Sequence, residues 1–303
     1  MAGNQRRNSK AKITNSKSKR NPKKTIKGKG GKVYAIDIRR MVISMVVAAV
    51  VIVAAVNIMA GIFGKREKGD PEKIAFAMVS CAENSTFDYT KTYSFIKDIG
   101  DGAGYTGGII GFTTMTGDMA AVVKEYCGRK GRGSELKKYI SALELVVGTD
   151  SKNGLGKGFV KAWKKAGKDP AMRKIQNAFR DREFKDPAFK AAERDGLGTL
   201  GKYIYYDTSV QHGPYGEGSS MESIRALAKK KAKLPSEGGR EKKYLRAYLD
   251  IREKKLLKAI PDLDVSRISA QKKMVEDEEF EMLLPLEFTM YGSDYTLEKD
   301  DLI

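Results

Sequence analysis

Two carboxylates, Glu83 and Asp101, stand eighteen residues apart and bracket a stretch running from Glu83-Asn84-Ser85 to Asp98-Ile99-Gly100-Asp101-Gly102. A pair of acids can hydrolyse a glycosidic bond when one carboxyl holds a proton for the leaving oxygen and the other stays ionised to activate water. That division of labour needs unlike surroundings, and the local sequence predicts them. Asp70-Pro71 is a helix-start signal, after which Ile74, Ala77, Met78 and Cys81 recur at helical spacing. Glu83 then falls near the helix C-terminus, where the dipole and an apolar face both disfavour its charge, which suits an acid. Asp101 lies among Gly100, Gly102 and Gly104, in a loop open to water that suits an ionised base.

The elements that must position these acids read as mainly helical. Leu136, Tyr139, Ile140, Leu143, Val146 and Val147 share one helical face, and Asp169-Pro170 and Asp186-Pro187 each predict a helix start. Only Tyr105 to Thr114 reads as sheet. This balance predicts an α+β domain, mainly α, with a small sheet against helices. Asp207 interrupts the apolar face of Leu200, Tyr203 and Ile204, and Arg252 interrupts that of Leu245, Tyr248, Leu249 and Leu256. A charge buried alone costs several kcal/mol, so Asp207 and Arg252 are expected to pair, the guanidinium offering a fork to the carboxylate.

Several other chemistries are excluded. Gly102-Ala103-Gly104-Tyr105-Thr106-Gly107 matches a dinucleotide-binding fingerprint, but no buried strand precedes it and no helix follows. The same stretch lacks oxygen ligands where a calcium loop needs them. His212 is the single histidine, and no G-x-S-x-G element accompanies it, which argues against a serine triad and a zinc site alike. It sits in a helix-ending turn, Gln211-His212-Gly213-Pro214, where it is expected to bond the last carbonyls. Cys81 and Cys127 both lie on apolar helical patterns, and whether they bridge stays open.

The net charge of +19 is unevenly spread: residues 1–70 carry +14, and residues 71–303 only +5. Residues 1–40, rich in Lys, Arg, Asn, Ser and Gly, are expected to form a disordered basic tail. Met41 to Phe63 is free of charge over 23 residues, long enough to cross a bilayer as a single transmembrane helix. Fourteen basic residues precede the span, so the tail is expected in the cytoplasm and the domain at 71–303, after a linker at 64–70, outside the cell membrane. A cleaved signal peptide and a secreted domain is the alternative. The tail could touch RNA or anionic lipid, but no stacking ladder or groove-binding motif accompanies it, so no specific nucleic-acid partner is expected.

Along residues 71 to 297 the chain also reads Gly104-Tyr105-Thr106, Gly108-Ile109-Ile110-Gly111-Phe112, Thr116-Gly117-Asp118, Gly148-Thr149-Asp150-Ser151, Asp181-Arg182, Tyr205-Tyr206-Asp207, His212-Gly213-Pro214, Ser266-Arg267 and Tyr291-Gly292 in order. With the stretches around Glu83 and Asp101, this resembles the chitosanases of glycoside hydrolase family 46. The resemblance implies a lysozyme-like, two-lobed fold with a substrate cleft, and inverting endo-hydrolysis of β-1,4-linked glucosamine without metal or organic cofactor. It implies Glu83 as general acid, Asp101 as general base and Thr106 as the group that orients water. Asn84 and Asp118 match sugar-contacting positions, although Asp118 also suits the cap of a helix over Met119 to Tyr126. Asp207, Arg252 and Arg267 match a charge network behind the acid. The chain departs from the family pattern at Ala103, Ala259, Phe95 and Phe184. Residues 83–118 carry a net charge of −3, the sign a cationic polymer such as chitosan would seek. A hydrolase of another amino-sugar polymer such as peptidoglycan, and a polysaccharide-binding protein without catalysis, are the other readings. The domain is expected to act as a monomer.

Overall fold

The computed structural model describes residues 66–303 and two short segments of the basic tail. In the tail, β1 (Lys24–Lys27) pairs antiparallel with β2 (Val33–Ile36), Lys24 opposite Ile36 and Lys27 opposite Val33. Composition predicts disorder over residues 1–40, and all but these eight lie outside the described residues. Thr25, Ile26, Val33, Tyr34 and Ile36 concentrate β-branched and aromatic side chains on either side of a glycine-rich sequence, which is a hairpin signal. The expected span, Met41 to Phe63, lies outside the described residues, as do the other tail residues and the start of the linker. Among the described residues no helix is long and apolar enough to cross a membrane.

From residue 66 onward the chain is mainly helical with small sheets. Helix α1 (Pro71–Asn84) is followed by strands β3 (Ile96–Lys97), β4 (Thr106–Gly107) and β5 (Phe112–Thr113), then by α2 (Asp118–Lys130) and α3 (Ile140–Leu145). Next come α4 (Lys157–Ala166), α5 (Pro170–Arg180), α6 (Asp186–Asp195), α7 (Thr199–His212) and α8 (Met221–Lys229). Helices α9 (Glu241–Ala259) and α10 (Ser266–Glu276) and the hairpin of β6 (Leu286–Met290) with β7 (Ser293–Leu297) complete the chain. Their apolar side chains form two cores. One gathers α1, α6 to α10 and the β6–β7 hairpin; the other gathers the antiparallel β3-β4-β5 sheet and α2 to α5. Tyr89, Phe184 and Val210 pack against both.

The predicted helix starts fare differently for a physical reason. Asp70 accepts hydrogen bonds from the N–H groups of Glu72 and Lys73, and Asp169 from that of Ala171, so each proline-first helix begins on a true side-chain cap. Asp186-Pro187 does not. The chain runs from α5 into α6 through a π turn at Asp181–Lys185, and no side chain caps the junction. A proline inside a helix clashes with the carbonyl four residues back; the widened turn that contains Glu183 relieves that clash. The expected helical face from Leu136 to Val147 also divides, into a 3-10 turn at Glu135–Tyr139 and α3. Leu136, Leu143 and Val146 are buried, whereas Val147 is exposed. Helix α1 buries every residue from Ile74 to Cys81 and is therefore surrounded, not seated by one face.

The sheet expected over Tyr105 to Thr114 is present as β4 and β5, with β3 added at the β4 edge. The β6–β7 hairpin is a further sheet, and β6 carries the period-two signal: Leu286, Phe288 and Met290 are buried while Glu287 and Thr289 are exposed. Between β3 and β4 the chain loops past Gly104, whose φ is +76°. A Cβ there would lie 2.2 Å from Thr114 Oγ1, the hydroxyl that accepts from the Tyr105 N–H and donates to the Ala103 carbonyl. Gly104→Ala is therefore expected to cost about 1–3 kcal/mol in urea melts, because it combines backbone strain with the loss of these bonds.

Candidate active site

Glu83 occupies the last turn of α1. Ser85 ends that helix in the left-handed region, φ +54°, with its N–H on the Cys81 carbonyl. The apolar surroundings expected of Glu83 are not what the fold supplies. Glu83 Oε1 accepts a hydrogen bond of 2.7 Å from Arg267 Nη1, and its side chain is 28% exposed. A guanidinium takes the place of the apolar wall, because α10 presents its second residue to the end of α1.

Arg267 is buried and leads inward. Its Nε and Nη2 donate to Asp207 Oδ1 at 2.9 and 2.6 Å. Asp207 Oδ2 accepts from Arg252 Nη1 at 2.8 Å and from Gln271 Nε2 at 2.8 Å. Arg252 Nη1 also donates to Gln271 Oε1, and its Nη2 to Gln211 Oε1. Asp207 and Arg252 are thus partners, both fully buried, as their positions on apolar faces require. The fork, however, comes from Arg267, and Arg252 gives Asp207 a single N–H. Burial opposes the charge on Asp207, but Arg267 and Arg252 outweigh it and hold its pKa down at about 2.

Gln271 closes this network and was not foreseen. Its signal was present: it stands four residues after Arg267, so it shares that helix face, and it is a polar residue buried among Ile268, Met274 and Val275. His212 lies beside the network, where burial and then Arg252 push its imidazole down to about 4. Among the described residues its Nε2 finds no partner, so that nitrogen does not make the bond expected to the helix carbonyls. Cys81 and Cys127 are free and buried, one in each core; burial pushes the Cys81 thiol up to about 12.

Most of the other candidate residues lie at the sheet that borders the second core, and Asn84 stays with Glu83 on α1. Asp101 is exposed on the loop between β3 and β4, and its Oδ1 accepts from the Ala103 N–H at 3.0 Å. Gly100, Gly102 and Gly104 all take positive φ there. Asp98 steadies the loop from its near end, accepting the Gly100 N–H and pairing with Lys152. Thr106 lies on β4 opposite Lys97 and Thr113, and its buried Oγ1 has no hydrogen-bond partner among the described residues. Asp118 opens α2: its Oδ1 accepts from the Thr113 N–H, the Thr116 hydroxyl and the Met119 N–H, each at 2.7 Å. Burial raises its pKa against those three donors. Asn84 ends α1 with a buried Nδ2 that meets no acceptor among the described residues.

The structure therefore joins Glu83, Arg267, Asp207 and Arg252 into one bonded chain on the first core. Asp101, Thr106 and Asp118 stand together at the sheet of the second. One carboxyl is held by a buried cation and the other is open to water, so the two candidate acids lie in unlike surroundings.

Known proteins are similar to this chain in sequence and fold. Residues 77–286 match the family model of glycosyl hydrolase family 46. A chitosanase from Streptomyces sp. (strain N174) is 43% identical over 231 residues, covering 75% of this chain and 83% of the relative. One from Nocardioides sp. (strain N106) is 42% identical, covering 75% and 82%. The chitosanase OU01, solved as a co-crystal with substrate, superposes with a TM-score of 0.73 at 41% identity, covering 78% of this chain and all of that one. The chain belongs to glycosyl hydrolase family 46, and it is a glycoside hydrolase.

Proposed function

We propose that the domain cleaves β-1,4 linkages within chitosan, with inversion at the anomeric carbon. The observation that carries this reading is the bonded chain from Glu83 through Arg267 and Asp207 to Arg252 in a member of this family. Glu83 gives its proton to the glycosidic oxygen as that bond breaks. Asp101 takes a proton from the water whose oxygen attacks the anomeric carbon from the opposite face. The Thr106 hydroxyl, unclaimed by any other group among the described residues, holds that water. The Asn84 amide donates to a sugar hydroxyl. Asp118, whose Oδ1 is occupied by its own turn, offers its second oxygen to a glucosamine ammonium. The net charge of −3 over residues 83–118 draws the polycation toward this region. All these residues come from one chain, so a monomer suffices.

Proton NMR of the first products from defined glucosamine oligomers tests the reading. The α-anomer is expected to appear first, with a fall in polymer viscosity that outruns reducing-end release. Initial β-anomer would overturn inversion, and cleavage of peptidoglycan without cleavage of chitosan would overturn the substrate.

We further propose that Met41 to Phe63 anchors the enzyme as a single transmembrane helix, tail in the cytoplasm and domain outside the cell. Its charge-free length and the basic excess before it support this placement. The full chain is expected to stay in the membrane fraction after an alkaline carbonate wash, and protease added to intact cells is expected to digest the domain. Quantitative release of a shortened chain into the medium would instead establish a cleaved leader.

A further inference from the structure

Tyr291 stands at the tip of the β6–β7 hairpin with φ +52°, followed by Gly292 at +72°. Two successive left-handed residues make the tight turn of a hairpin, and Asn, Asp or Gly normally fills the first place because a larger side chain strains it. An aromatic residue there is held in a conformation it does not favour. The surroundings account for why it is held. The Tyr291 N–H donates to Ser266 Oγ at 2.9 Å, which fastens the hairpin tip to the first residue of α10. The next residue is Arg267, the donor to Glu83.

That backbone bond sets Tyr291 beside the pair, and the charges that act on its phenol are theirs. Burial raises its pKa, the Arg267 guanidinium lowers it, and the Glu83 carboxylate raises it again. The residue is nevertheless 41% exposed, so it reaches the network from the surface and does not belong to the core. A count of donors shows what it can do there. A guanidinium carries five N–H groups. On Arg267, Nε and Nη2 serve Asp207, and Nη1 serves Glu83. The remaining N–H groups of Nη1 and Nη2 offer the Glu83 carboxylate other seats unless another acceptor claims one.

We propose that Tyr291 is a positioning residue for Glu83: its phenol oxygen claims a free N–H of Arg267, so that the Glu83 carboxyl keeps one seat at the end of α1. The inference rests on the reading of Glu83 as proton donor. It assigns the strained turn a function, since a relaxed residue at the tip would lack the phenol.

The test compares the full-length chain in detergent micelles with Y291F and Y291G, measuring kcat and KM on chitosan and the thermal midpoint of each. Y291F keeps the turn and ring but loses the acceptor. Its kcat is expected to fall about tenfold, the scale of one hydrogen bond to a charged group, with KM within about twofold and an unchanged midpoint. Y291G relieves the left-handed strain, so its midpoint is expected to hold or rise while kcat falls at least as far. Activity lost without stability is the signature of positioning, because a structural role would move both together. Wild-type kcat in Y291F, or a loss in Y291G that follows a lowered midpoint, would overturn the inference. A wild-type chain that leaves chitosan intact would overturn instead the proposed function beneath it.

Discussion

Glu83→Gln is expected to lower kcat on chitosan by about 10³-fold while leaving the thermal midpoint almost where it was. A positioned general acid contributes roughly 10²–10⁴-fold to such a step, and glutamine has no proton to give. Its amide oxygen can still accept from Arg267 Nη1, so the hydrogen bond that holds the side chain survives. The buried chain through Asp207 then stays intact. A glucosamine oligomer carrying a fluoride leaving group separates loss of the acid from loss of the site. Fluoride departs with little protonic help, so that substrate is expected to lose far less than chitosan does. Equal losses on both substrates would remove Glu83 from the role of proton donor.

Asp207→Ala is expected to destabilise the domain by about 3–5 kcal/mol, because it strands two buried guanidinium groups without their shared counter-ion. Arg252 and Arg267 both donate to this carboxylate, and both are buried. Against a typical total of roughly 5–15 kcal/mol, that loss should show as a large drop in the thermal midpoint. Activity falls with it, since the Arg267 that holds Glu83 loses its anchor. The carboxylate also links stability to pH. Its folded-state pKa is about 2, below the ordinary value of 3.8, so the folded state favours the ionised form. That contribution is fully present above the unfolded pKa near pH 4 and is lost as pH falls through about 2; its size is about 2 kcal/mol. Urea melts between pH 5 and pH 2 should show this slope in the wild type and a shallower one in Asp207→Asn. Parallel slopes would mean that other carboxylates carry the acid sensitivity.

The sequence by itself determined what depends on neighbours along the chain or on a physical necessity. Asp70-Pro71 and Asp169-Pro170 start helices because a cap is made within three residues, and the structure shows both caps. Asp207 and Arg252 could be paired on paper because a lone charge on an apolar face demands an opposite one. The ordered matches from Glu83 to Tyr291 pointed to the family before any contact was known.

Tertiary structure decided most of what rests on contacts remote in sequence. Arg267 lies 184 residues from Glu83, and no local pattern gives the acid a guanidinium where its helix predicted an apolar wall. The fork onto Asp207 belongs to Arg267 on α10 and not to Arg252 on α9, which gives that carboxylate a single N–H. Pro187 did not break the path from α5 to α6, since a π turn absorbed the clash that local rules assign to proline. Among the described residues His212 Nε2 lacks the carbonyl bond its turn predicted. Local preferences set where elements begin, but the partner of a buried charge is chosen by which helices the two cores bring together.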